Sequence, residues 1–168
     1  MRHTFLLAAL LITNLSFSQN MSNSRLDTIF KTVSDTIQGN NGRWQFIIND
    51  IPIICVTDVN HNRMRIISPI IAYSKLNEEM KTNALVANFH TALDVKYAIS
   101  ENLLWSVFIH PLKELTEKQV ADAVKQVYLA HVNFGTTYSS TPLVFPGSNE
   151  KANKKEVLKK KTFKTHKA

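Results

Sequence analysis

The sequence predicts an α+β fold, in the order α-β-β-β-α-β-β-α, with one antiparallel sheet packed by helices. Three observations predict it. Apolar residues recur at helical spacing from Leu26 to Ile37. Apolar and polar residues alternate in the stretches 43–49 and 93–109. The connections between alternating runs are short and rich in turn residues, which suits antiparallel neighbours with helices over at least one face.

Leu26, Ile29, Phe30, Val33 and Ile37 fall on one helix face, with Ser24 placed to cap the start and Gly39-Asn40-Asn41-Gly42 to end it. Arg43 to Asn49 then alternates, with Trp44, Phe46 and Ile48 on one face. Asn49-Asp50 makes a tight turn into a second strand, Ile51 to Thr57, apolar on both faces; Pro52 suits its entrance. A third strand runs from Arg63 to Ser68. Ser74 caps a second helix over Lys75 to Thr91. In the next strand Leu93, Val95, Tyr97 and Ile99 alternate, and Ser100-Glu101-Asn102 turns. In the last strand Leu103, Trp105, Val107 and Ile109 are expected to point towards the helices. Leu104 and Phe108 then point the other way, with Ser106 and His110. Thr116-Glu117-Lys118-Gln119 is a capping box for the final helix, with Leu115 and Val120 as its staple and Gly135 at its end.

Residues 1–18 read as a secretory signal peptide: a basic start, an apolar stretch from Phe5 to Leu15, and a Ser16-Phe17-Ser18 cleavage site. Residues 19–149 form the expected domain, which is soluble, exported, and either periplasmic or secreted. The net charge of +7 misleads, because residues 150–168 carry eight Lys and two Glu, whereas residues 19–149 carry eleven basic and eleven acidic groups. The end of the chain is therefore expected to be a disordered Lys-rich tail, with adhesion to anionic surfaces as its alternative. No aromatic stacking pattern accompanies the lysines, so no nucleic-acid partner is expected.

Asp58-x-Asn60-x-Asn62 has the opening beat of a calcium loop. The pattern fails at position 6, which needs Gly and has Arg63, and at position 12, which needs Glu and has Pro69. The remainder is turn chemistry. The histidines show no zinc spacing, so no metal or cofactor is expected. The single Cys55 sits in an apolar run and reads as a buried small hydrophobe. No nucleophile elbow or phosphate loop occurs among the four glycines, and "FGTTYSSTP" has hydroxyls alone. Arg63 and Arg65 alternate onto one strand face, where they could bind an acidic partner segment.

The segments "NRMRIISPI", "NFHTALDVKYAI", "LLWSVFIHPLKELT" and "FGTTYSS" together span about Asp58 to Ser140. In their order and landmarks they resemble the type III secretion chaperone-like fold, including its YbjN branch. The resemblance implies a small protein-binding dimer and not an enzyme. This chain adds an export signal, whereas typical secretion chaperones work in the cytoplasm. The expected function is therefore a non-enzymatic protein-binding or chaperone-like module of the cell envelope. The alternative is a small envelope hydrolase, metal-dependent or Cys/His, using His90, His110, Asp94 or Cys55. The expected partner-binding residues are Arg63, Arg65, Leu104 and Phe108, on a sheet face that pairs two copies of the chain.

Overall fold

The computed structural model describes residues 20–142. The expected signal peptide and the Lys-rich tail lie outside the described residues. The elements are α1 (Asn23–Val33), β1 (Thr36–Asn40), β2 (Arg43–Ile48), β3 (Ile51–Asp58), β4 (Arg63–Ala72), a single 3₁₀ turn (Tyr73–Lys75), α2 (Glu78–His90), β5 (Lys96–Ser100), β6 (Leu103–His110) and α3 (Glu117–Val132). The sheet is antiparallel throughout, with strand order β1-β2-β3-β4-β6-β5. Its α+β class is the one the sequence predicts.

One strand more forms than expected, because the first helix is shorter. α1 starts after Ser22, not Ser24, with the Ser22 hydroxyl accepting from the Arg25 amide. It stops at Val33, where the Ser34 hydroxyl donates to the Phe30 carbonyl at 2.6 Å and draws the chain away. Ile37 therefore belongs to β1, opposite Phe46. Asn41-Gly42 is a hairpin turn, not a helix stop, with φ of 48° and 100°. Positive φ at both central residues suits the twist of the flanking strands, and Asn-Gly accepts it at least cost. Asn49-Asp50 and Glu101-Asn102 turn the same way, with φ of 45° and 66°, then 50° and 59°.

The second helix also starts later than expected. Asn77 caps it, its side-chain oxygen accepting from the Met80 amide at 2.8 Å. β4 continues to Ala72 past a register shift between Pro69 and Ile71. The capping box of α3 forms as read, with Thr116 and Gln119 bonded reciprocally.

The core lies between the helices and one face of the sheet. Phe30 of α1 stacks on Phe46 at 4.8 Å between ring centres and meets the edge of Trp44 at 5.5 Å. All three rings are fully buried. Each large side chain buried this way stabilises the fold by roughly 1.5–3 kcal/mol. Trp44 also donates its indole N–H to Asp27 at 3.1 Å. With the bond from Lys31, this holds the Asp27 carboxyl below its usual range.

The expected facing of the last strand is reversed. Leu104, Ser106 and Phe108 point into the core, and Leu103, Trp105, Val107 and Ile109 point away from it. Register decides this. β6 pairs Phe108 with Ile66 and Ser106 with Ser68, and β4 buries Met64, Ile66 and Ser68. The set with a serine in it goes inside because Ser106 donates its hydroxyl to the Val127 carbonyl of α3 at 3.0 Å. A hydrogen-bonded hydroxyl costs little to bury.

Candidate protein-binding surface

The side of the sheet away from the helices is built in rows by strand register. One row runs Gln38, Gln45, Ile54, Ile67, Val107 and Lys96 from edge to edge. The next runs Asn40, Arg43, Val56, Arg65 and Ile109. On the other side of the first row stand Pro69, Trp105 and Ala98. An antiparallel sheet face left to water alternates to polar residues. Here Ile54, Val56, Ile67, Val107 and Ile109 sit together, and Ile109 is 56% exposed. The apolar strip continues into a shallow cleft between β3, β4 and the end of β6, walled by Val56, Arg63, Arg65, Ile67 and Ile109.

Arg63 and Arg65 are exposed on this face, as expected. Leu104 and Phe108 are not. They are 3% and 6% exposed, on the helix side of the sheet and not on its open face. Their open-face counterparts are Trp105, Val107 and Ile109, the set expected from alternation to face the helices.

A second exposed apolar site lies on the helix side, at the edge of the sheet. On α2, Leu85, Val86 and Phe89 are exposed, Phe89 by 83%, and Ile99 of β5 is exposed nearby. Leu76, Met80, Ala84, Leu85, Ile99 and Leu104 line a cleft of about 370 Å³ there. The sequence carried a signal for this site: the apolar residues of α2 do not share one stripe, so one helix face cannot bury them all.

The candidate hydrolase residues are dispersed. Cys55 is fully buried between the strands and α-helices, and burial pushes its thiol far up. A thiol held protonated is a poor nucleophile. His90 ends α2 against the Phe89 ring. His110 and Asp94 do line one cleft, of about 310 Å³, but Gln126 donates to both the Asp94 and Asp122 carboxylates in it. His110 turns Nδ1 to the Pro111 carbonyl at 2.8 Å. Among the described residues no group of three or more His, Cys, Asp or Glu could hold a metal ion. The Asp58 loop is a turn: Asp58 accepts from the His61 amide at 2.9 Å and meets His61 Nδ1 at 2.7 Å. These bonds lower the Asp58 carboxyl from its usual range.

No family model and no curated protein matches this sequence. Solved structures do. A chain of the HopA1–SchA chaperone–effector complex superposes with a TM-score of 0.53 at 12% identity, over 66% of this chain and 90% of that one. A chain from the Yersinia pestis type III secretion chaperone SycH bound to a stable fragment of YscM2 gives a TM-score of 0.50 at 12% identity, over 67% and 98%. The fold is type III secretion chaperone-like. At this identity the likeness is one of fold. In secretion chaperone-like terms the described chain is a helix-backed sheet with its opposite face open. Among the described residues no helix is long and apolar enough to cross a membrane.

Proposed function

We propose that this chain is a non-enzymatic, chaperone-like protein-binding module that holds an extended segment of another protein on the open face of its sheet. The observation that carries the reading is the apolar row Ile54, Ile67 and Val107 on a face no described element covers. The fold supports it, because the similar chains come from a chaperone–effector complex and from a chaperone bound to a protein fragment. Residues 1–18 would direct the module to the cell envelope, periplasmic or secreted.

The same reading makes the module a homodimer, through α2 and not through the sheet. A two-fold interface sets one patch against itself. Phe89 of one copy would enter the cleft beside Leu85 and Ile99 of the other. Light scattering on the full chain is expected to give a dimer, and Phe89→Asp a folded monomer. A wild type that stays monomeric at high concentration removes the dimer.

The binding test uses short synthetic peptides that alternate apolar and polar residues. Trp105 is partly exposed on the open face, whereas Trp44 is buried, so indole fluorescence reports contact there. Val107→Asp is expected to abolish the signal and leave the circular dichroism unchanged. If no apolar peptide changes the fluorescence of the wild type, the open face is not a binding surface.

A further inference from the structure

The domain carries as many acidic as basic groups, yet its open sheet face does not. The charged side chains of its central strands are Arg43, Arg63, Arg65 and Asp58. Lys96, on the edge strand, is turned away from the face to cap the Asn88 and Leu93 carbonyls behind it. Asp58 is occupied by His61. Arg63 bonds only the Asn62 carbonyl, at 3.0 Å, and neither Arg43 nor Arg65 has a hydrogen bond or ion pair among the described residues. Three guanidinium groups thus stand at one end of an apolar strip, and the one carboxylate beside them on the central strands, Asp58 opposite Arg63, is held by His61.

Register gives their spacing. Arg43 and Arg65 share a row with Val56 between them, so their Cα atoms lie about 10 Å apart. Arg63 and Arg65 are two residues apart on β4, about 7 Å, and Ile67 and Pro69 follow on the same face. An extended segment lying along β4 presents its own same-side residues at that 7 Å repeat. We propose that the segment held here is acidic at one end and apolar at the other: two carboxylates spaced i, i+2 over Arg63 and Arg65, with Arg43 alongside, then apolar residues over Ile67 and Trp105. This rests on the open-face reading above and adds the chemistry of the partner.

The other occupants fit less well. The Lys-rich end of this chain has the same sign as the arginines. A second copy laid on this face by a two-fold axis would bring three more arginines and, against them, one carboxylate, Asp58, already held by His61. Single-stranded nucleic acid would find phosphate contacts but, among the described residues of this face, only one aromatic platform, Trp105, and a strip of aliphatic side chains elsewhere.

The test is a titration of the full chain, read by Trp105 fluorescence, with a peptide of sequence Glu-Ser-Glu-Ser-Ile-Ser-Val-Ser and its Lys-for-Glu counterpart. The acidic peptide is expected to bind at least about tenfold tighter, and more weakly as salt rises. The triple variant Arg43→Gln, Arg63→Gln, Arg65→Gln should lose most of that preference, about tenfold, and keep its fold. A second variant, with the eight lysines of 151–167 changed to Gln, should keep the preference. Equal binding of both peptides would sink the charge assignment and leave the protein-binding reading standing. Loss of preference in the tail variant alone would move the charge recognition to the tail. Arg-dependent binding of oligo(dT) tighter than of the peptide would replace the acidic segment by nucleic acid. No response to any of them would remove both readings together.

Discussion

Ser68 Oγ lies 2.8 Å from His131 Nδ1 and gives its hydrogen to the Pro52 carbonyl at 2.7 Å. A carbonyl can only accept, and a hydroxyl has one hydrogen. His131 Nδ1 therefore carries a proton of its own and donates to Ser68. The pair looks like a nucleophile beside a base, but its proton flow runs the wrong way for that. Ser68 is also fully buried, so no substrate reaches it. The contact is instead a clamp between β3, β4 and α3, and it makes several consequences measurable.

Ser68→Ala leaves the Pro52 carbonyl and His131 Nδ1 without that partner in the interior. Such a loss costs about 1–3 kcal/mol. Urea melts are expected to show a lower midpoint with an unchanged slope. A variant as stable as wild type would mean that water reaches the clamp.

Burial lowers the His131 pKa from its ordinary 6.5, because desolvation disfavours the imidazolium. The unfolded chain then takes up the proton first as the solution is acidified. The stabilisation is complete above pH 6.5 and is lost as pH falls through the lowered folded value. Stability should therefore drop as the solution is acidified below pH 6.5. His131→Asn keeps a donor near Ser68 and does not titrate, so the drop should shrink. An identical pH profile for the variant would assign the acid sensitivity to other groups.

Phe30→Ala removes a fully buried ring from its stack on Phe46 and its edge contact with Trp44. The expected cost is about 3–5 kcal/mol, enough to consume much of the stability of a domain this size. Chemical denaturation checks it; a cost below about 1 kcal/mol would mean that α1 is not docked as described.

Gly39 has φ of 89°, and a Cβ built there would stand 2.3 Å from the Arg43 carbonyl oxygen. Gly39→Ala should detach the edge strand β1 before it disturbs the rest. Hydrogen exchange is expected to accelerate at Ile37 and to stay slow in β4 and β6. Uniform loss of protection would show that β1 is integral to the cooperative unit.

A chelator is expected to leave the melting temperature unchanged. The groups of the calcium-like loop are already engaged: Asp58 by His61, and Asn62 by the Lys113 amide at 2.8 Å and by Glu114 at 3.0 Å. A fall in melting temperature on adding EDTA would reinstate a metal.

Local chemistry determined much of this protein by itself. Thr116 and Gln119 announced the start of α3, because a capping box closes within one turn of chain. Alternation and turn residues located β2, β3, β4 and β6, and Arg63 with Pro69 stand where a calcium loop needs Gly and Glu. The order of elements was enough to place the chain in the secretion chaperone-like fold, and the arginines of β4 were legible as an exposed pair. What the sequence left ambiguous turned on partners distant along the chain. Asn41-Gly42 serves equally as a helix stop and as a hairpin turn, and the pairing of Ile37 with Phe46 decided between them. β6 is apolar on both faces, so alternation alone could not say which set faced the helices. Ser106 found a carbonyl on α3 and Phe108 found Ile66, and those contacts sent Leu104 and Phe108 inside. The same pairing put Arg43, on β2, into one row with Arg65, on β4. Side-chain periodicity belongs to a single strand, but a binding face is made by register between strands, and register is decided only when the whole sheet packs.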